Sequence, residues 1–421
     1  MTESSAAFRG LSLAPFRATR YVQRDTELGL LLSPPFDVVS PADRQALVEG
    51  SSTNVVRLIL PERDEAELAG GDRYQGAAVL LDRWLADEVL AVDATEALFV
   101  YQMSTPDGSV TRGLLGAVEL RDPDDGVILP HENTMSGQVS DRLALMTATQ
   151  ANLEPIYLVY DGGGAASELV ASVSDRSPVS EATTPDGISH QLWAIVDRDE
   201  HRRVAEDLAG RRALIADGHH RYATYRKLQA DHGGEPGPWD RGLTLLVDSS
   251  SYGPQVHPIH RVVALPWDEI VRRTDGQARL SDPIPLAAVE QALSEADGFA
   301  VALARDDQAI LVSDLDPNVV ERGLTGLDPA LGRLDITVLH RVLVEQVWGL
   351  SDDVDSVDYA HDVSEALTAA KDGGGTAVLV RATPVRAVAE VAAAGLRMPR
   401  KSTLFTPKPA SGLAIRRFAD Q

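Results

Sequence analysis

The segment Ala213-Leu214-Ile215-Ala216-Asp217-Gly218-His219-His220-Arg221-Tyr222-Ala223-Thr224 carries the most specific local pattern of the chain. Its first four residues are apolar and small or branched, which predicts a short buried strand, whereas residues 222–228 predict a helix. The residues between them therefore form a tight strand-to-helix turn. Such a turn places several backbone N–H groups at the positive end of a helix dipole, where phosphate groups bind.

The side chains of this turn favour an anion site over a plain loop. Gly218 allows a ligand to approach the backbone closely, and His219, His220 and Arg221 add donors of positive charge. A strand that ends in Asp-Gly is also typical of an ordinary turn, and paired histidines also occur on solvated surfaces. An ordinary turn needs none of the three basic side chains, so we predict that residues 217–221 bind phosphate.

Composition limits the classes of partner. The chain has 421 residues, 44% of them hydrophobic and 24% charged, which is typical of a globular protein with two or three domains. Its formal net charge of −24 argues against a general nucleic-acid or anionic-membrane surface, because both require a basic field. A phosphate site must then be a local positive pocket. An acidic proteome in the source organism would explain the same charge, which would then concern solubility alone.

Cysteine usage and hydropathy limit the chemistry and the location. The chain contains no cysteine, which excludes disulfides, thiolate nucleophiles and cysteine-ligated zinc. Residues 1–26 lack the continuous apolar region of a signal peptide, and no run approaches the roughly 18 apolar residues that span a bilayer. We therefore expect a cytoplasmic protein with no membrane segment.

The N-terminal region contains a second candidate segment, Pro34-Pro35-Phe36-Asp37. Residues 28–33 predict a strand that runs into it, and Ser40 with Pro41 predicts the N-cap and first residue of a helix. The proline pair makes this loop either a stiff connector or a preset loop that presents Asp37 to a ligand or metal. Residues 54–60 predict the next strand.

Polar side chains also follow the apolar segment 127–129. His131 and Glu132 come directly after it, and Arg142 lies in a predicted helix that ends at Thr149. The pair is not a zincin motif, because position 135 is methionine and the second histidine is missing. The alternative is that His131 only forms hydrogen bonds within the fold and that Glu132 lies on the surface, with neither residue in a functional site.

Two further segments concentrate positive charge. His260-Arg261 repeats the His-Arg pair on an extended segment, and residues 395–408 combine four basic residues with prolines and hydroxyls. The second segment is either a solvated basic tail or an ordered segment that brings Lys401 and Lys408 toward an anionic ligand. Because clustered cations are scarce in this chain, we predict that both segments and His131-Glu132 converge on the turn at 217–221 in one pocket.

The order of elements indicates an α/β unit around the turn, since strand, helix, strand, turn and helix follow one another. The Asp161-Gly162-Gly163-Gly164 loop is too short for a P-loop, and the Walker spacing is absent throughout. We place an α/β body at residues 1–265 and a C-terminal part at residues 266–421.

Five motifs, in this order, resemble a large prokaryotic family, the domain of unknown function ten-fifteen. They are Pro34-Pro35-Phe36-Asp37-Val38, His131-Glu132 with Arg142, Asp217-Gly218-His219-His220-Arg221-Tyr222, His260-Arg261-Val262 and Met398-Pro399-x-Lys401-Ser402-Thr403-x-Phe405-x-Pro407-Lys408. The resemblance covers nearly the whole chain. The Asp-Gly-His-His-Arg turn is also similar to that of the ParB/sulfiredoxin-like superfamily, whose members bind nucleotide phosphates there and include free-serine kinases.

These resemblances imply an α/β or α+β fold with mixed sheets, a ParB/sulfiredoxin-like nucleotide-binding core and a C-terminal α+β part that closes onto the body. Two activities of the superfamily do not carry over. Sulfiredoxin chemistry needs a cysteine in the turn, and this chain has none. ParB chemistry needs a DNA-binding module, but no basic recognition helix is visible and the net charge opposes DNA binding.

The function that we predict is phosphoryl transfer from ATP or ADP, with Mg²⁺, to a small hydroxyl metabolite, with free L-serine as the leading acceptor. Phosphoryl transfer depends mainly on positioning and charge neutralisation. The predicted nucleotide-binding residues are Asp217, Gly218, His219, His220, Arg221, His131, Arg142, His260, Arg261, Lys401, Ser402 and Lys408. The predicted catalytic residues are Glu132 as base, Asp37 and His220, and the predicted metal ligands are Asp37 and Asp217.

Two other functions stay open. One is a non-catalytic nucleotide-binding regulator or scaffold of the ParB-like class, and the more distant one is a metal-dependent hydrolase. The expected partners are a nucleotide and a small-molecule substrate, with no DNA and no membrane. The sequence leaves homo-oligomerisation open.

Overall fold

The computed structural model describes residues 9–22, 27–353 and 355–421. These residues form two compact units. One contains the described residues up to Pro254 together with Pro407–Gln421, and the other is Gln255–Thr406. The sequence prediction differs, since it placed the boundary after residue 265 and the whole tail in the C-terminal part. Part of segment 1–26, in which we predict no signal peptide, lies outside the described residues.

The C-terminal tail belongs to the first unit because its backbone pairs there. Arg416–Arg417 forms a short antiparallel ladder with Ala151–Asn152, and Ser411 pairs with Ser33 in an isolated bridge. Backbone pairing of this kind depends on contacts between residues far apart in the chain, so the local composition near residue 407 gave no sign of it.

The first unit is built on a mixed sheet that has nine strands within the described residues. In sheet order they are Ile128–Leu129, Ala213–Asp217, Ile156–Tyr160, Arg241–Asp248, Val110–Glu119, Leu98–Ser104, Ser189–Ile195 and Ser180–Thr183, with Leu13–Ala14 paired to Val110–Glu119. The strand before the turn runs parallel to Ile128–Leu129 and antiparallel to Ile156–Tyr160. The turn, His131-Glu132 and the residues just before Ile156 therefore meet at one edge of the sheet.

Helices Gly164–Ser172, Arg198–Leu208 and His219–Asp231 pack on strands of this sheet, and Ser136–Thr149 packs on the last of them. The helices Pro41–Gly50, Val56–Ile59, Arg63–Glu67 and Arg73–Ala86 pack on one another, and the last of these also contacts Ser136–Thr149. The core between the sheet and its helices contains Leu98, Ile156 and Leu246, all buried. The predicted helix start at Ser40 is confirmed, because the Ser40 hydroxyl accepts a hydrogen bond from the Asp43 backbone N–H at 3.2 Å.

Two strand predictions near the N terminus were wrong. Residues 28–33 contain a 3₁₀ helix, Leu28–Leu30, and residues 54–60 contain a short helix, Val56–Ile59. The side chain of Asn54 explains the second case, since its amide donates to the carbonyls of Leu30 and Leu32 and accepts from the Val56 N–H. The helix is buried almost all round, and an apolar run without periodicity does not distinguish a buried helix from a strand.

The second unit contains a seven-stranded sheet within the described residues. Its strands, in sheet order, are Arg279–Leu280, Gln308–Ser313, Ala300–Arg305, Thr376–Leu379, His260–Val263 and Val357–Ala360, with Ile284–Pro285 beside Gln308–Ser313. A separate ladder joins Gln255–His257 to Leu404–Thr406. The helices are Trp267–Thr274, Val289–Glu295, Pro317–Leu324, Pro329–Gly332, Asp335–Val338, the π-helix Leu339–Val347, Val363–Gly373 and Val385–Ala393.

The predicted class, α/β or α+β with mixed sheets, is confirmed by these two units. Among the described residues, none of the helices combines the length and the apolar character that crossing a bilayer requires.

Candidate functional site

The predicted strand-to-helix turn is present. The strand ends at Asp217, Gly218 has a φ of 91°, and the helix His219–Asp231, the site helix, begins immediately after it. Gly218 is needed for this conformation, because residues with a side chain rarely adopt a positive φ. A Cβ atom added at this position would also lie 3.2 Å from Arg221 Nε and from Ile156. No side chain caps the helix at Gly218. The positive end of the helix dipole therefore faces the turn without a capping side chain from this position.

Lys408 closes this turn from the C-terminal tail of the same unit. Its Nζ donates to Asp217 Oδ1 at 2.6 Å and to Asp37 Oδ2 at 3.1 Å, and Arg221 Nη2 donates to the other oxygen of Asp217. The four side chains form an ion cluster, which we call the lysine clamp. It joins two predicted site loops and the tail, because Asp37 and Lys408 are 371 positions apart in the chain.

The clamp favours the charged forms of Asp37, Lys408 and Arg221. Burial alone would raise the pKa of Asp37, but the charges of Lys408 and Arg221 outweigh burial and lower it. Burial alone would lower the pKa of Lys408, but Asp217 and Asp37 raise it. The pKa of Arg221 is raised as well, because the attraction of Asp217 and Glu154 exceeds the cost of burial.

Arg221 supports the turn from below rather than projecting into solvent. Only 3% of it is exposed, and Nη1 donates to the Pro155 carbonyl at 2.5 Å. Its Nε has no hydrogen-bond partner within the described residues. Beside it lies a cavity of about 20 Å³ lined partly by Arg142 and Glu154, which is large enough for one water molecule. Arg221 therefore places a fixed positive charge under the turn.

The loop at Pro34–Asp37 is held against this cluster. The Phe36 backbone N–H donates to Glu154 Oε1 at 2.9 Å, and the Phe36 ring lies 4.2 Å from the guanidinium carbon of Arg142 and 6.0 Å from that of Arg221. Arg142 itself is buried and donates to Asp141 and to the Ile59 carbonyl. It forms a wall of the site.

The two histidines of the turn face the segment after the parallel strand. His219 Nε2 accepts from the His131 backbone N–H at 3.2 Å, and His220 Nε2 accepts from the Met135 backbone N–H at 3.0 Å. Glu132 Oε2 lies 3.8 Å from His219 Nδ1. These two ring nitrogens therefore act as acceptors that hold the turn to residues 131–135, and not as the positively charged donors that the sequence predicted.

Sequence reasoning did not identify Glu154 and Pro155. Glu154 is 5% exposed, and its carboxylate accepts from the Phe36 N–H and the Ser411 hydroxyl. It lies two residues before the strand Ile156–Tyr160, which is antiparallel to the strand of the turn. A carboxylate between apolar segments was the available signal, but only the strand order shows that it reaches the turn.

The remaining predicted residues lie in the second unit. Arg261 is fully buried and donates to His340 Nε2 at 2.9 Å and to the Ile259 carbonyl at 2.6 Å. Burial, with the charge of Arg261, lowers the pKa of His260 to about 4, so His260 carries no charge at neutral pH. Lys401 is exposed, and the Ser402 hydroxyl donates to the Pro399 carbonyl at 2.5 Å. A role of these four residues in the same pocket stays a prediction.

The predicted metal ligands do not fit a metal ion in this arrangement. Asp37 and Asp217 share the ammonium group of Lys408, which occupies the position that a cation bridging both carboxylates would take. No group of three or more potential metal-ligating side chains exists among the described residues. Magnesium at these two carboxylates would require Lys408 to leave.

Comparison with known proteins supports the family resemblance found in the sequence for the part of the chain that contains the first four motifs. Residues 13–337 match the profile of the family described as "Protein of unknown function (DUF1015)". The chain belongs to this family. No curated protein sequence matches it.

Several solved structures are similar to the chain, all with low TM-scores. A conserved hypothetical protein from Pyrococcus furiosus is 15% identical, with 70% of this chain and 94% of that chain covered and a TM-score of 0.33. A free serine kinase in complex with AMP is 16% identical, with 68% and 88% covered and a TM-score of 0.33. SbnI with a C-terminal truncation from Staphylococcus aureus is 11% identical, with 72% and 87% covered and a TM-score of 0.36.

Proposed function

We propose that this protein binds the phosphates of ATP or ADP at the start of the site helix and transfers a phosphoryl group to a small hydroxyl metabolite, with free L-serine as the leading acceptor. The observation that carries the proposal is the lysine clamp, which brings two cations to a glycine turn at the N-terminal end of a helix. In the clamp Asp37 and Asp217 balance Lys408 and Arg221, so the charge for a polyphosphate comes from the backbone N–H groups of the turn and from Lys408 when it exchanges Asp37 for a phosphate oxygen.

The phosphates would contact the backbone at Gly218 and the first turn of the site helix. Lys408 can exchange Asp37 for a phosphate oxygen, because its side chain retains 16% exposure and Asp37 retains 31%. Arg221 remains beneath the turn and neutralises charge without moving. This arrangement supplies the positioning and the fixed charges on which phosphoryl transfer depends.

Glu132 is the proposed general base. It is partly exposed, and His219 lies 3.8 Å from its carboxylate. In the proposed step the acceptor oxygen forms a bond to the terminal phosphorus, the bond from that phosphorus to the bridging oxygen breaks, and the shortened nucleotide leaves. The hydroxyl proton passes to Glu132. Magnesium would neutralise part of the phosphate charge, and Asp37 and Asp217 would hold it only if Lys408 left them.

Phosphorus NMR tests this proposal. Purified protein is incubated with MgCl₂ and ATP or ADP, with and without L-serine, and we expect a phosphomonoester signal only when serine is present. Glu132→Gln should lower the turnover number about a hundredfold or more and leave nucleotide affinity by calorimetry unchanged. Glu206→Gln, an exposed position on another helix, serves as the matched control.

A non-catalytic nucleotide-binding regulator is the second candidate. The lysine clamp favours it in one respect, because Asp37 and Asp217 are both already paired. Nucleotide binding without consumption, over a broad pool of hydroxy acids and amino acids, would establish this second function. No nucleotide binding at millimolar concentration would refute both.

A further inference from the structure

A second cavity lies in the first unit beside Arg142. Its volume is about 160 Å³, and its wall includes Ser40, Glu62, Arg73, Asp141 and Arg142. This is smaller than the roughly 300–1,000 Å³ of pockets that hold drug-sized ligands, and it suits a metabolite with few heavy atoms. The residues that contact the nucleotide phosphates in the proposed function do not line this cavity.

The arginines of the cavity wall differ in how many of their guanidinium N–H groups already donate to other protein groups. Arg142 is buried and is fixed by Asp141 and a backbone carbonyl, as described above. Arg44, also in the wall, is 8% exposed and donates to the Leu60 carbonyl at 2.7 Å and to Glu65 at 2.8 Å. Both guanidinium groups hold the wall in place.

Arg73 is the arginine available to a ligand. Its side chain is 49% exposed, and within the described part of the chain its guanidinium hydrogen bonds, to the Tyr74 hydroxyl and to Asp141, both use Nη2. Nε and Nη1 lie on different edges of the planar guanidinium group, and each keeps an N–H group that can donate a single hydrogen bond to a ligand. A hydrogen bond from a charged guanidinium to a carboxylate oxygen is charge-assisted even where it is single.

The two carboxylates of the cavity wall also differ in how many hydrogen bonds and ion pairs they already make with protein groups. Asp141 receives hydrogen bonds from Arg73, Tyr74 and Arg142, so both of its oxygens are occupied. Glu62 makes one ion pair, with Arg44 at 3.0 Å, and its side chain is 56% exposed. Glu62 can therefore accept a hydrogen bond from an ammonium group.

We infer that this cavity binds a small zwitterionic amino acid, with its carboxylate on Arg73 and its ammonium on Glu62. The assignment of this ligand as the acceptor rests on the proposed function; the binding itself does not. Phe36 lies near both places, because its ring is 4.2 Å from the guanidinium carbon of Arg142 in the cavity wall and 6.0 Å from that of Arg221 below the turn. A hydroxyl on the ligand side chain would make it an acceptor of the predicted class.

Calorimetry with the full chain tests the inference, both without nucleotide and with saturating ADP. The probes are L-serine, which has both charges, glycerate, which lacks the ammonium, and ethanolamine, which lacks the carboxylate. We expect L-serine to bind best and ethanolamine worst. Arg73→Gln should weaken L-serine and glycerate about tenfold or more, because it removes a charge-assisted contact.

Glu62→Gln provides a test with the opposite selectivity. It should weaken L-serine but not glycerate. Arg63→Gln is the matched control, since Arg63 is 89% exposed, pairs with Glu67 and lies outside the cavity wall; it should change neither affinity. Thermal unfolding of each variant shows whether it folds as the parent protein does.

Three results would overturn the inference. They are equal affinity for L-serine and ethanolamine, an unchanged affinity in Arg73→Gln, and no L-serine binding in either nucleotide condition. Failure of the proposed function gives a different pattern. If L-serine binds and Arg73→Gln abolishes its binding while no phosphoserine forms, the cavity assignment holds and phosphoryl transfer is wrong.

Discussion

Replacement of Lys408 by methionine is the most direct test of the lysine clamp. Methionine keeps most of the length and apolar volume of the side chain and removes the ammonium. Asp217, whose side chain is 11% exposed, then loses its 2.6 Å partner and, among the described residues, keeps its ion pair with Arg221. Asp37 loses its ion pair as well, but it is more exposed and can be solvated.

The expected loss in the free energy of unfolding follows from the more buried ion pair of the clamp, Lys408 with Asp217. Removing one partner of a buried ion pair costs about 3–5 kcal/mol, and a hydrogen bond to a charged group contributes about 1.5–3 kcal/mol. Because Lys408 retains 16% exposure and Arg221 still neutralises Asp217, we expect a loss of about 2–3 kcal/mol in the free energy of unfolding at pH 7.

The pH dependence gives this prediction a second signature. Asp37 has a lowered pKa in the folded protein, so its contribution is present above the ordinary value of 3.8 and is lost as pH falls below it. Lys408 has a raised pKa, so its contribution is present below 10.5 and is lost as pH rises through the folded value. The difference between parent and variant should therefore be largest from roughly pH 5 to 9.

Urea unfolding monitored by tryptophan fluorescence measures both signatures, at pH 3, 7 and 9. Lys227→Met is the control, because Lys227 is exposed on the site helix and its loss changes the net charge by the same amount. A Lys408→Met variant as stable as the control at pH 7, or a stability difference that is equal at pH 3 and 7, would refute the ion cluster as described.

Three further predictions concern the same site and the surface. Arg221→Ala should lower nucleotide affinity about ten- to a hundredfold in calorimetry, because it removes the charge beneath the turn; an unchanged affinity counts against a phosphate site there. Gly218→Ala should reduce the free energy of unfolding by about 1–2 kcal/mol in urea, since φ is 91°, whereas Gly210→Ala, with open space and no positive φ, should not. Random duplex DNA should show no submicromolar, salt-sensitive binding at physiological ionic strength, and such binding would contradict the electrostatic argument.

Local patterns predicted the elements that depend on local physics. The apolar run at 213–216 followed by Asp-Gly predicted the strand and the turn, because only glycine adopts the required positive φ at little cost. Ser40 and Pro41 predicted a helix start for a similar reason, since the cap and the fixed proline φ act within one turn. The strand predictions for residues 28–33 and 54–60 were wrong, because a continuous apolar run has the same composition in a buried helix and in a strand.

The sequence by itself determined the chemistry of the site residues: a glycine turn with basic neighbours, carboxylates at Asp37 and Glu132, and a lysine near the C terminus in an acidic chain. Only the tertiary structure decided which of them meet. The clamp joins Asp37 to Lys408, and Glu154 reaches the turn because its strand is antiparallel to the one that ends at Asp217. Pairings between distant residues follow from strand order and from burial of the whole core, and neither is written in the spacing of residues along the chain.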